Sequence, residues 1–205
     1  MLDSIDYYNR FAKEYYEKTV NATMEEQLKQ FTDLLPIGGA VLDLGCGSGR
    51  DSLFLVEEGF DVTSLDGAEN MCELAQIHVG QEVLNLTYDQ LDFKEVFDGI
   101  WACASLVHEE PEKLPITLQR VFDCLKSEGV MYMSFRYGDF VGFNSDINFY
   151  AYTEATFGSI LEQCREKQNI EIVDMFITKD GREEFLDNEW INICLLYTSD
   201  AADDS

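Results

Sequence analysis

From residue 40 onward, apolar and polar positions settle into a regular alternation. Apolar runs at 40–44, 60–65, 82–87, 98–104 and 129–135 read as buried strands. Between them, apolar residues recur at helical spacing over 50–58, 68–78, 112–126 and 153–166. Gly59 and Gly80 close two of those helices. Strands that alternate with helices predict a parallel sheet covered on both faces. Two final strands, 170–178 and 189–196, flank an Asp180-Gly181-Arg182 turn and read as an antiparallel pair, while 139–150 reads as irregular. Ahead of the alternation, 4–34 reads as helices, ended by Pro36 and Gly38-Gly39. Tyr7, Tyr8, Phe11, Tyr15 and Tyr16 form an aromatic stripe there, either packing the helix onto the sheet or closing over a ligand. With no internal repeat and no linker, 1–194 is expected to be one domain with 1–36 as a helical lid. Residues 195–205 are expected to be a tail outside it, non-native or disordered.

Composition narrows the function. The 205 residues are 46% hydrophobic and 13% aromatic, enough for a globular core. Forty acids against 14 bases give a net charge of −26, which repels phosphate backbones and anionic membranes. DNA and bulk RNA are therefore not expected as partners. Six cysteines without a C-x-x-C pair, and two histidines, make a metal site unexpected. No secretion signal and no apolar run of membrane-spanning length are evident, so a reducing cytoplasm is the expected location.

The chemistry concentrates in Val41-Leu42-Asp43-Leu44-Gly45-Cys46-Gly47-Ser48-Gly49. A buried strand runs into three alternate glycines and then into a helix, which lets backbone lie close to a ligand and offers it unpaired N–H groups. A glycine turn that merely reverses the chain is the plain alternative. The dinucleotide fingerprint G-x-G-x-x-G would need glycine at position 50, where Arg50 stands. Asp66 ends the second strand, placed to accept two hydrogen bonds from ribose hydroxyls or else to cap the next helix; the same placement also serves NAD. Ligands of open α/β sheets sit beyond the strand ends at the switch point, which brings 104–108, including Ala104, Ser105 and His108, to the site.

The turn resembles motif I of the class I S-adenosylmethionine (SAM) methyltransferases, E/D-x-G-x-G-x-G. Gly45-Cys46-Gly47-Ser48-Gly49-Arg50-Asp51-Ser52, Phe97 to His108, Ser134-Phe135-Arg136-Tyr137-Gly138 and Trp190-Ile191-Asn192 further resemble blocks of a small bacterial group near the tellurite-resistance and methyltransferase-11/25 types. The resemblance implies an α/β, Rossmann-like sheet of seven mostly parallel strands, order 3-2-1-4-5-7-6 with the last strand antiparallel, and helices on both faces. It implies SAM as cofactor, cradled by Asp43, Gly45, Cys46, Gly47, Gly49, Asp66 and Gly67. Asp92 is then expected against the adenine amino group with Phe93 beside the ring, and Ala104 and Ser105 near the methyl. Similar enzymes use N-terminal tyrosines as lids, a role open to Tyr7, Tyr8, Tyr15 and Tyr16.

For catalysis, His108 is the candidate base or a structural histidine, and Arg136 and Tyr137 at the end of the fifth strand are candidates to orient an acceptor. Relatives often carry arginine where Asn148 stands, so an anion contact is expected to be missing. The D/N-P-P-Y/F motif of amide and adenine methylation is absent as well. Methyl transfer to a small-molecule acceptor is the expected function. A SAM-binding sensor without transfer, and less so an NAD(P)-dependent oxidoreductase, are the alternatives.

Overall fold

The computed structural model describes residues 3–139, 141–144, 147–166, 168–180, 182 and 188–198. Three short helices come first, α1 (Ser4–Arg10), α2 (Ala12–Thr19) and α3 (Glu25–Thr32). Then β1 (Ala40–Leu44), α4 (Arg50–Glu57), β2 (Asp61–Asp66), α5 (Glu69–Val79), β3 (Val83–Asn85), β4 (Phe97–Ala102), α6 (Leu114–Phe122) and β5 (Leu125–Tyr137) follow in the expected alternation. The chain continues through β6 (Val141–Asn144), β7 (Ile147–Tyr152), α7 (Glu154–Arg165), β8 (Asn169–Lys179) and β9 (Glu189–Thr198).

β1 to β5 pair in parallel in the order β3-β2-β1-β4-β5, and β9 lies antiparallel between β5 and β8. With β9 and β8 as the seventh and sixth strands, this is the expected sheet. Two strands are additional. The stretch expected to be irregular forms the antiparallel hairpin β6–β7, and β7 adds to β5 in parallel through Arg136↔Ala151 and Tyr137↔Tyr152. The reason is geometric. At Arg136 one edge of β5 is already taken by Trp190 of β9, so β7 must use the other edge. That is β4's side, and β4 has ended at Ala102. The hairpin therefore sits over the carboxyl end of β4.

Each face of the sheet has its own apolar layer. On one, α6 and α7 deliver Leu118, Phe122, Phe157 and Leu161 onto Leu42, Ile100, Met131 and Phe135. On the other, Leu28 and Phe31 of α3 and Leu55 of α4 cover Val41, Trp101 and Tyr132. The Trp101 and Tyr132 rings stack with centroids 3.9 Å apart and planes 10° from parallel. Phe31 reaches β4 because position 99 is glycine: a Cβ there would stand 2.7 Å from its ring. Among the described residues no helix is long and apolar enough to cross a membrane.

The last strand runs past residue 194, where the domain was expected to end. β9 runs to Thr198, with Leu195 paired to Met131 on one side and Ile172 on the other and only 1% exposed. Residues 199–205 of that tail lie outside the described residues. If 195–198 belongs to the fold, Leu195→Ala should cost about 2–5 kcal/mol, as truncation of a buried leucine does. Urea unfolding with an unchanged midpoint would return Leu195 to the tail.

Candidate active site

A cavity of about 400 Å³ opens at the carboxyl ends of the parallel strands. It lies where β1 has β2 on one side and β4 on the other, the switch point at which such sheets bind ligands. Gly45 and Gly47 line it after β1, Asp66 to Ala68 after β2, Leu86 to Asp89 after β3, and Cys103 to Ser105 with His108 after β4. Tyr8 of α1 and Tyr15 of α2 cover it, and Ile147, Asn148 and Tyr150 of β7 wall the far side.

The three glycines serve three purposes. Gly45 has φ +74°, and a Cβ there would stand 2.5 Å from the Ser105 Cβ. Gly49 has φ +77° at the start of α4, and a Cβ would meet Val79 at 2.7 Å. Gly47 faces the cavity under Tyr15, and its N–H donates to Asp66 Oδ2 at 3.0 Å. The Ala68 N–H donates to Asp66 Oδ1 at 2.9 Å. Asp66 thus closes the turn before α5 while lining the cavity. Burial raises its pKa, and the two N–H donors oppose that rise. Opposite it, Ala104 is held at φ +53° with its N–H donated to Ser134 Oγ, and the buried Ser105 Oγ has no hydrogen-bond partner among the described residues. Gly67 lines the cavity beside Asp66, whereas Cys46 packs away from it with Cys72, Ala75 and Val83.

Asp43 is not in the cavity wall. It is 2% exposed and accepts Ser52 Oγ at 2.6 Å, and Ser52 Oγ in turn accepts Ser64 Oγ at 2.8 Å. Burial, and then the negative charge of Asp51, push its pKa up to about 7. Asp51 is held by Arg50 through Nε at 2.6 Å and Nη2 at 2.8 Å, and by Trp101 Nε1 at 2.8 Å. This network under the turn was not anticipated beyond Asp43. Its signal was Asp51-Ser52 directly behind the glycines, polar residues on the first turn of a helix whose face is buried.

His108 and Tyr8 meet. The Tyr8 hydroxyl lies 2.9 Å from His108 Nε2, and His108 Nδ1 lies 2.6 Å from the Asn148 carbonyl oxygen. Burial lowers the His108 pKa. Tyr16 contacts His78 at 3.4 Å instead, and Tyr7 packs on Phe11 and Tyr8. Arg136 lies outside the cavity, stacked on Trp190 with its guanidinium 4.6 Å from the ring centre and 3.8 Å from Asp180. Tyr137 donates to Glu154 at 3.2 Å. Asp92 is exposed and off the cavity, and Phe93 packs on Phe97. After β3 it is Leu86 to Asp89 that line the cavity, because β3 ends at Asn85 and the chain has left the cavity by residue 92. Among the described residues no cluster of three metal-binding side chains occurs.

Residues 41–129 match the family model described as a methyltransferase domain. YqeM of Bacillus subtilis, which bears the name of a methyltransferase, is 34% identical over 131 residues, covering 60% of this chain and 53% of its own. The chain spans about half the length of the first curated relatives it matches. A 1,6-didemethyltoxoflavin-N1-methyltransferase from Burkholderia thailandensis superimposes with TM-score 0.72 at 20% identity, over 97% of this chain and 92% of that one. A TehB-like SAM-dependent methyltransferase from Corynebacterium glutamicum does so with TM-score 0.70 at 18% identity, over 95% and 99%. At these identities the structures speak for the fold.

Asp43 carries a pH signature. An unfolded aspartate titrates near 3.9, so the folded chain holds the Asp43 proton more tightly. Its contribution to stability is full below about pH 4 and is lost as pH rises to about 7. Asparagine mimics the protonated form. The stability of Asp43→Asn relative to wild type should therefore rise between about pH 5 and pH 8, measured by urea unfolding at both. A constant difference would mean that Asp43 is ionised throughout.

Proposed function

We propose that this chain, a class I SAM-dependent methyltransferase domain, moves the methyl group of SAM to a small-molecule acceptor. The observation that carries the reading is the cavity itself, with a carboxylate on one strand end, a hydroxyl on the facing turn that has no partner among the described residues, and a tyrosine-bearing cover. These residues fit the cofactor. Asp66 would take the ribose hydroxyls, the backbone of Gly45 to Gly47 the amino-acid portion, and Leu86 to Asp89 the adenine. Ser105 Oγ would gain a partner there. Asp43 supports the turn from beneath, through Ser52.

SAM supplies a methyl group on a good leaving group, so the protein's share is chiefly orientation and the exclusion of water. Tyr8 and Tyr15 exclude water from above. His108, neutral at physiological pH because burial lowers its pKa, is a base to which a proton released by the acceptor can pass. A cavity of this size, partly covered by Tyr8 and Tyr15, favours a small acceptor over a macromolecular one. The relatives reported above carry methyltransferase names, which favours transfer over the nicotinamide alternative.

Asp66→Ala should weaken S-adenosylhomocysteine binding by about 1–3 kcal/mol through the lost hydrogen bonds. Equal calorimetric affinity would remove Asp66 from the ribose site. His108→Ala should lower turnover at unchanged SAM affinity. Incubation with methyl-labelled SAM and fractionated cell extract identifies the acceptor: label in a small-molecule fraction is expected, and label confined to macromolecules would overturn the acceptor class.

A further inference from the structure

We propose that the Tyr8 hydroxyl and His108 Nε2 form one proton-accepting unit, completed only when the N-terminal helix docks, in which Tyr8 is the group that meets the acceptor. The proposal rests on the reading of the cavity as the transfer site. Its first ground is the chemistry of the partners. The Asn148 carbonyl oxygen can only accept, so the proton must sit on His108 Nδ1. In the neutral ring Nε2 then has no proton and must accept, so the Tyr8 hydroxyl donates to it. An acceptor in the cavity cannot reach Nε2 while Tyr8 occupies it. It can reach the Tyr8 oxygen, which keeps its lone pairs. Burial keeps Tyr8 a phenol and so a donor.

The second ground is how the unit is held. One residue beyond Tyr8, Asn9 accepts the Asn70 N–H at 2.9 Å and its carbonyl accepts Asn70 Nδ2 at 2.8 Å, which fastens α1 to α5. Tyr15 braces Tyr8 edge-on, centroids 4.9 Å apart. On the other side Asn148 belongs to β7, which β5 carries over the end of β4. The ionisable groups that share the cavity with the pair are Asp3, Tyr15, Asp66, Tyr88, Asp89, Cys103, Glu109, Glu110, Lys113 and Tyr150, and Lys113 is paired with Glu110 at 2.9 Å.

The proton balance is simple. As the acceptor atom gains the methyl carbon, its proton passes to Tyr8 Oη while the Tyr8 proton passes to Nε2. Tyr8 ends as a phenol, and His108 ends as an imidazolium whose two N–H groups face Asn148 O and Tyr8 Oη. The positive charge given up by the methyl donor reappears on His108. The unit therefore suits an acceptor that brings a proton on its nucleophilic atom, a hydroxyl or an amine.

The chain has two histidines, so the full protein labelled with ¹⁵N-histidine gives two ring spectra. With S-adenosylhomocysteine present, His108 is expected as the Nδ1–H tautomer with Nε2 displaced by an accepted hydrogen bond. Tyr8→Phe should keep that tautomer but raise the His108 midpoint by about 0.4–1 pH unit, because a bond to the neutral form is lost. Tyr7→Phe, off the cavity, should change neither. An Nε2–H tautomer, or a midpoint indifferent to Tyr8→Phe, would overturn the unit. If calorimetry shows normal S-adenosylhomocysteine affinity in that case, the cavity reading stands and only the unit falls; absent affinity would remove both.

Discussion

At position 45 the turn after β1 lies so close to the turn after β4 that no side chain fits between them. This approach organises the carboxyl edge of the sheet. It sets Ser105 beside the glycine turn and brings Asp66 within reach of the Gly47 N–H. The Tyr88 hydroxyl donates to the Ser105 carbonyl at 2.9 Å, so the turn after β3 is tied to the same point. Four strand ends converge on one place because one of them carries no Cβ.

Beneath that point the protein buries more polar groups than a cavity floor requires. Buried polar atoms cost several kcal/mol unless they find partners, and here nearly every one is paired. Arg50 and Trp101 satisfy Asp51, and Ser64 and Ser52 lead to Asp43. Removing one member strands another. Such a network holds β1, β2, β4 and α4 in one arrangement, which a purely apolar contact would specify less strictly. Asp43 is the member without a cation of its own, and the consequence is a carboxyl that prefers its proton well above the ordinary range.

Above the same point, two segments far apart in sequence complete the site. Tyr8 comes from α1 and the Asn148 carbonyl from β7; the carbonyl determines which nitrogen of His108 is basic, and the Tyr8 hydroxyl meets that nitrogen. Neither is fixed by local preference. α1 has only seven residues, too few to hold a helix by themselves, so its position depends on what it docks against. β7 is held by the last two residues of β5 and by β6.

How much of this was legible follows from what periodicity reports. Alternating strands and helices, the glycine turn, Asp66 at the end of β2, and Ala104, Ser105 and His108 beyond β4 were readable, because each depends on spacing within one segment or on the regular order of a parallel sheet. Tyr8 and Tyr15 were readable only as part of a stripe, without which of them would face the cavity. What tertiary structure decided lies in long-range pairing. The free edge of β5 recruited β7, so a stretch that looked irregular supplies the partner of His108. The same pairing rule drew Leu195 to Thr198 into β9, since a strand continues while its neighbours offer hydrogen bonds. Arg136 and Tyr137 were found by their strand end but turned away by Asp180, Trp190 and Glu154. The sequence alone determined the cradle, because glycine and buried apolar runs act locally. The choice of side chains that face into it belonged to the fold, because a strand end has two edges and two faces and only its neighbours say which are left free.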